Sequence, residues 1–191
     1  MEYFNPNMNG YYTHQEYIKR ILDILLMHDP LFNLKVNVLE FGSGDGSSIV
    51  FNEYANKYKD ILTVQSFEHV IDWYEKMKSK YSLSNYTFNL VDWAKFDYTE
   101  LKKEKYDFVF VDQGIWEERI RTIDELKDCT KIFILHDYCY YNGFRQHTTP
   151  YQDMPENSVG KGTYFYEKYN DEFELIPETS LYPPTLIFKK R

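Results

Sequence analysis

The sequence predicts a doubly wound α/β fold: a mostly parallel, seven-stranded sheet with helices on both faces and a C-terminal antiparallel hairpin. Three observations carry that prediction. Short apolar runs alternate with segments of helical period along most of the chain. One of these runs, Val36 to Glu40, opens directly into a turn with glycine at positions 42, 44 and 46. Near the end, two apolar runs are joined by a proline-bearing turn rather than by a helix. Strands that are apolar almost throughout belong in a sheet covered on both faces.

In chain order, Thr13-His14-Gln15-Glu16 has the form of a capping box, and Tyr17, Ile18, Ile21, Leu22, Ile24 and Leu25 follow with helical period. The N-terminal region, residues 1–30, therefore carries an amphipathic helix ahead of the first strand. After the glycine turn, Ser48 to Tyr58 reads as a helix and Leu62 to Phe67 as a strand. Val70 to Tyr81 reads as a helix with Val70, Trp73, Tyr74 and Met77 on one face. Tyr86 to Val91 and Asp107 to Val111 are the next strands, followed by a helix over Glu117 to Asp128 and a strand over Lys131 to Leu135. Phe173 to Ile176 and Thr185 to Phe188 make the hairpin, with Pro177, Pro183 and Pro184 suiting an edge. Thr163 to Tyr169 fits a helix or a strand equally. Cys139 to Gly162 has no apolar period and is rich in Tyr, Asn, Gly and Pro, as expected of a lid or substrate loop.

Composition narrows the function classes. A chain of 191 residues suits one domain, spanning 1–191. Its formal charge of −8 with scattered basic residues offers no phosphate-neutralising surface, so no nucleic-acid partner is expected. Apolar stretches are strand-sized and the first residues lack a basic segment followed by an apolar one, so a soluble, cytoplasmic protein without membrane association is expected. Cys129 and Cys139 have neither metal-site nor disulfide-framework spacing and read as free thiols. Lys189-Lys190-Arg191 reads as a solvated tail, and Gly160-Lys161-Gly162-Thr163, lacking the earlier glycine of a phosphate loop, as a hinge.

Ligands of open parallel sheets bind outside the carboxyl ends of the strands, where strand order reverses. Here those ends carry the glycine turn, Glu68, Asp92-Trp93, Asp112 and His136-Asp137. Glycines at alternate positions allow positive φ and bare backbone against a ligand, and the next helix aims its N–H groups into the same space. Glu68, roughly 20 residues beyond the turn, is placed to accept both hydroxyls of a ribose. Two ligand classes share that arrangement. The nicotinamide fingerprint wants its third glycine one residue later, where Ser47 stands, which disfavours a nicotinamide-dependent reductase.

Glu40-Phe41-Gly42-Ser43-Gly44-Asp45-Gly46 resembles motif I of the class I S-adenosylmethionine-dependent methyltransferases, which share a Rossmann-like fold. Ser66-Phe67-Glu68-His69 is similar to the family's ribose-binding motif, Asp92-Trp93 to its adenine-reading motif, and Tyr106 to Asp112 to its motif IV. Pro183 to Phe188 resembles its final antiparallel strand. The resemblance implies a cofactor-binding set of Glu40, Gly42, Ser43, Gly44, Gly46, Glu68, His69, Asp92, Trp93 and Asp112. It also implies methyl transfer from S-adenosylmethionine. Within the family, the chain is similar to small-molecule O-methyltransferases of the sugar, catechol and antibiotic type, so the expected acceptor is a hydroxyl on a sugar or polyhydroxylated ring. A non-catalytic binding module on the same fold is the alternative of a different class.

Catalysis on a sulfonium donor needs an aligned nucleophile and a place for its proton. Asp112 and Asp137 end adjacent strands, and two converging acids repel unless a proton or cation intervenes. A divalent ion such as Mg²⁺ held by Asp112 and Asp137 would relieve that repulsion and lower a hydroxyl pKa. Metal-dependent relatives generally show Asp-Asn, Asp-Asp or Glu-Asp where this chain has His136-Asp137, so His136 stands open as ligand, general base or packing residue. Tyr138, Tyr140, Tyr141, Arg145, His147 and Tyr151 crowd the following loop, and with Tyr11 and Tyr12 they would form an aromatic wall. Tyr138, Tyr141 and Arg145 are the substrate-binding candidates.

Overall fold

The computed structural model describes residues 14–27, 35–138, 163–178 and 185–191. A seven-stranded sheet is built from β1 (Val36–Phe41), β2 (Leu62–Glu68), β3 (Tyr86–Leu90), β4 (Tyr106–Val111), β5 (Thr130–His136), β6 (Phe173–Glu178) and β7 (Thr185–Lys190). Their order is β3-β2-β1-β4-β5-β7-β6, with β7 antiparallel to β5 and β6 and every other pair parallel. The helices are α1 (Gln15–Met27), α2 (Ser47–Lys57), α3 (Ile71–Tyr81), α4 (Trp116–Leu126) and α5 (Thr163–Tyr169).

The period-2 alternation of the central strands divides the core between the two faces of the sheet. Val36 and Val38 of β1, with Phe108 and Phe110 of β4, pack with Ile18 and Leu22 of α1, Val50 and Phe51 of α2 and Met77 of α3. Leu39, Phe41, Val109 and Val111 face the other way, with Ile123 and Leu126 of α4, Phe165 and Tyr169 of α5 and Phe188 of β7. Both faces of β1 and β4 are thus covered, which explains their continuous apolar sequence. Pro177 falls on β6, the edge strand, where a missing N–H breaks no interior ladder.

Three expectations are refined or corrected. Of the residues that share one face of α3, Met77 is buried, with Tyr81, while Val70 and Trp73 are 40 % and 41 % exposed. Thr163–Tyr169, open between helix and strand in the sequence, is helical. Lys189 and Lys190 are no free tail but the end of β7, paired with Glu174 at 3.6 Å and Glu172 at 3.2 Å. The expected lid, 139–162, lies outside the described residues, as do Thr13 of the capping box and Cys139. Cys129 is a buried free thiol.

Strand order reverses between β1 and β4. The backbone there is tightly drawn: Asp112 N–H donates to the Phe41 carbonyl at 2.7 Å, and Gly42 N–H to the Phe67 carbonyl at 2.9 Å. The glycine turn and Asp112 therefore leave the sheet side by side at its switch point.

Candidate active site

The alternation that sends Val38 toward α2 sends Glu40 the same way, beneath the first turn of that helix. Its carboxylate is fully buried and accepts hydrogen bonds from Ser47 Oγ at 2.5 Å, Ser48 Oγ at 2.9 Å and Tyr86 Oη at 2.6 Å. Burial raises its pKa, and the hydroxyl donors pull the other way. Glu40 thus braces the turn from inside, and its role toward a ligand is indirect. Gly42 has φ 89°, and a Cβ there would lie 2.5 Å from the Asp112 carbonyl oxygen. At Gly44 a Cβ would meet nothing within 4 Å, so this glycine leaves open space above the turn.

Glu68, at the end of β2, is 5 % exposed and ties the turn to the next loop. Its Oε2 accepts from Ser43 N–H at 2.9 Å, and its Oε1 from His69 N–H and Val70 N–H, each at 2.8 Å. Ser43 Oγ also donates to Oε2 at 3.4 Å, so four donors hold the carboxylate, and a ligand hydroxyl would have to replace or share the longest of them. His69 is half-buried beside it, with Nδ1 3.1 Å from Glu68 Oε1. Asp92 is exposed; it accepts from Ala94 N–H at 3.1 Å and pairs with Lys95 at 3.2 Å. The Trp93 indole is 1 % exposed and packs in the core against Phe41 and Phe96, so any ligand contact of this residue falls to its backbone N–H, the group the resemblance implies.

A cavity of about 550 Å³ opens over the turn, lined by His14, Ser43, Gly44, Asp45, Gly46, Ser47, Trp73 and Asp112. Of the predicted set, Ser43, Gly44, Gly46 and Asp112 border it directly. Asp45 is held by Lys76 at 2.6 Å and Lys80 at 3.1 Å, which keep its carboxyl below the usual range. Trp73, on the same face of α3 as Met77, forms part of the cavity wall, with Lys76 over its ring at 4.2 Å.

Asp112 stands one residue beyond the Val111–Leu135 pair of β4 and β5, so it lies beside His136. Burial pushes its pKa up to about 8, with Arg119 opposing and Asp137 adding to the shift. Arg119 is 4 % exposed and links the two strand ends: Nε donates to the Gln113 carbonyl at 2.5 Å, Nη1 to the His136 carbonyl at 2.6 Å, and Nη2 lies 3.0 Å from Asp112 Oδ1. Only a planar guanidinium reaches three such acceptors at once. In the sequence, Arg119 looks like any solvated arginine of an amphipathic helix, and nothing there marks it.

His136 is 4 % exposed; its Nδ1 lies 3.3 Å from Thr185 Oγ1 and its Nε2 3.3 Å from Asp137 Oδ1. Asp137 adopts φ 54°, a left-handed conformation that aspartate tolerates better than most residues. Burial, His14 and Arg119 all hold His136 in the neutral form. The ring of His14, from the start of α1, meets it edge-on at 4.4 Å between centroids. His14 is 3 % exposed, its pKa is lowered to about 3 by burial, and neither ring nitrogen has a hydrogen-bond partner among the described residues. An unmet buried polar group costs about 1–3 kcal/mol. Gln15 anchors the same helix end, donating Nε2 to the Gly46 carbonyl at 2.7 Å.

Beside the expected metal pair, Asp112 with Asp137, one group of three potential ligands converges among the described residues: His14, Asp112 and His136, with Asp137 Oδ1 3.3 Å from His136 Nε2. Two imidazoles and one carboxylate are a poor donor set for Mg²⁺, which takes oxygen ligands and keeps much of its water. Of the substrate candidates, Tyr138 is fully buried and meets Phe165 edge-on at 6.2 Å, as a core residue does. Tyr141 and Arg145 lie outside the described residues, as do Tyr11, Tyr12, Tyr140, His147 and Tyr151.

No family model and no curated protein matches the chain by sequence. Solved structures do share its architecture. A Methanococcus jannaschii fibrillarin pre-rRNA processing protein superposes with a TM-score of 0.59 at 13 % identity, over 94 % of this chain and 76 % of that one. The N-terminal domain of EvdMO1, with SAH bound, gives 0.53 at 13 % identity, over 94 % and 85 %. Precorrin-6y C5,15-methyltransferase from Geobacter metallireducens gives 0.53 at 15 % identity, over 91 % and 85 %. At such identities the likeness is one of fold: the Rossmann-like sheet with its terminal antiparallel hairpin is the architecture these proteins share.

Proposed function

We propose that this protein transfers the methyl group of S-adenosylmethionine to a hydroxyl of a small molecule, a sugar or polyhydroxylated ring. The observation that carries the reading is the cavity at the switch point, which places the glycine turn and Asp112 on one continuous wall. Around it, Gly44 leaves room for a ligand, and Glu68 is fixed by Ser43, His69 and Val70 where a ribose is expected. The SAH bound to EvdMO1, a protein of the same fold, supports the donor.

The acceptor class has separate support. The chain's net charge of −8 opposes a polyanionic substrate such as RNA, although one protein of similar fold acts in pre-rRNA processing. The cavity is within the usual size for small-molecule sites. In this reading the sulfonium's methyl points toward Asp112, and the acceptor hydroxyl approaches from the side of His14 and His136. Alignment is the main task, because the donor already carries its leaving group.

Calorimetric titration with S-adenosylhomocysteine, followed by assay of its formation from S-adenosylmethionine across a panel of sugars and polyhydroxylated aromatics, tests both halves. Saturable binding and acceptor-dependent turnover are expected. Absence of binding at millimolar ligand would overturn the donor assignment, and binding without transfer to any acceptor would favour a non-catalytic module.

A further inference from the structure

We propose that His14, Asp112 and His136 form a binding site for a divalent first-row transition ion of the zinc class. The three side chains come from the start of α1 and from the ends of β4 and β5, and their candidate ligand atoms all lie within 4.8 Å of one another. Donor atoms on one such ion stand about 3 to 4 Å apart, given bond lengths near 2.1 Å, so closure needs side-chain shifts of less than about 1 Å each. Two imidazoles and a carboxylate suit zinc, iron, cobalt or manganese and discriminate against magnesium and calcium.

The independent observation is His14 itself. Its imidazole is 3 % exposed, lines the cavity, and has neither nitrogen bonded among the described residues. A histidine that merely filled space against Phe110, whose ring lies 4.9 Å away, would be better replaced by an apolar residue. A bound cation supplies the missing partner. Asp112 is oriented by Arg119, whose Nη2 lies 3.0 Å from its Oδ1.

The surroundings are those of a metal site. Thr185 Oγ1, 3.3 Å from His136 Nδ1, is placed to set the ring's orientation and tautomer, which leaves Nε2 for the ion. Asp137 Oδ1, 3.3 Å from that Nε2, is the nearest further donor. The remaining positions face the cavity, where an exogenous oxygen can bind. If the methyl-transfer reading holds, that oxygen is the acceptor's hydroxyl; ion binding itself does not depend on that reading.

The test uses the full chain without any methyl donor, so its failure is separate from a failure of methyl transfer. Metal-free protein is titrated with Zn²⁺ by calorimetry and with Co²⁺ by visible absorption, with Mg²⁺ as competitor. One tightly bound equivalent, a tetrahedral or five-coordinate Co²⁺ spectrum, displacement by Zn²⁺ and indifference to Mg²⁺ are expected. His14→Phe, which keeps the packing on Phe110, should weaken Zn²⁺ binding by about 100-fold while its metal-free form melts no lower than the parent. Thr185→Val should weaken binding by roughly 10-fold, as loss of a partner behind a ligand does. If His14→Phe does not fold, Asp112→Asn serves the same purpose. No stoichiometric binding, or binding of equal strength in the variants, would overturn the site.

Discussion

Gly42 and Asp112 are in backbone contact at the switch point: a Cβ on Gly42 would sit 2.5 Å from the Asp112 carbonyl oxygen and 2.7 Å from the Gln113 nitrogen. Both obstacles are main chain, and the glycine's φ of 89° is itself costly for any other residue. Gly42→Ala is therefore expected to destabilise the fold by about 1–3 kcal/mol. Gly44→Ala is the control, because a Cβ there meets nothing. It should leave urea unfolding nearly unchanged yet weaken S-adenosylhomocysteine by about 10-fold, equivalent to ~1.4 kcal/mol. Equal behaviour of the two variants would show that the turn is not the donor site.

Arg119 is expected to matter as much for stability as for activity. Its three bonds join the Gln113 and His136 carbonyls to the Asp112 carboxylate in a nearly dry setting. Removing one partner of a buried pair costs about 3–5 kcal/mol. Arg119→Met should show that loss in chemical denaturation, and Arg119→Lys should recover only part of it, because a single ammonium cannot span the three acceptors. Full recovery by lysine would mean that charge alone is required.

Glu68→Gln separates a structural from a ligand-binding role. An amide cannot accept on both ends, so either Ser43 N–H or the His69 and Val70 N–H pair loses its acceptor. A loss of about 1–3 kcal/mol is expected. Beyond that, affinity for S-adenosylhomocysteine should fall by about 10-fold while affinity for homocysteine-like fragments lacking the ribose stays the same. Parallel calorimetry with the two ligands checks it.

Glu40 makes a signed prediction with pH. Burial raises its folded-state pKa, so above the ordinary glutamate value of 4.5 the folded protein holds its proton more tightly than the unfolded chain does. Its contribution to stability is then fully present at low pH and declines as pH rises toward the folded-state value. Glu40→Gln keeps the shape and can still accept from Ser47 and Ser48 while donating to Tyr86. The stability of Glu40→Gln relative to the parent should therefore increase from pH 5 to pH 8, read as the difference between paired urea curves. A constant difference would place the folded-state pKa at its ordinary value.

Much of the fold was legible because its signals are local. The glycine turn, the amphipathic first helix and the apolar strands each lie within one short segment, and the central strands read as continuous runs because both of their faces are buried. Helix α3 was harder. Val70 and Trp73 fit a helical stripe with Met77, but the sheet covers only part of that stripe, and the rest borders the cavity or solvent. Trp93 follows a strand end, and its position there says nothing of its ring, which the cluster around Phe41 and Phe96 draws into the core.

By itself, the sequence determined the order of strands and helices along the chain and the acids and glycines that stand at the strand ends, since each follows from periodicity or from a residue's position at a strand end; the sheet order, with its reversal between β1 and β4, came from the structure. Only the tertiary structure decided which of those groups meet. His14 and His136 stand far apart in the sequence, and Arg119 is hidden in a polar helical pattern, so no spacing rule connects them. Burial then decided their chemistry: the desolvation that keeps His14 neutral, with neither nitrogen bonded among the described residues, and that raises the pKa of Asp112, exists only once α1 has closed over the ends of β4 and β5.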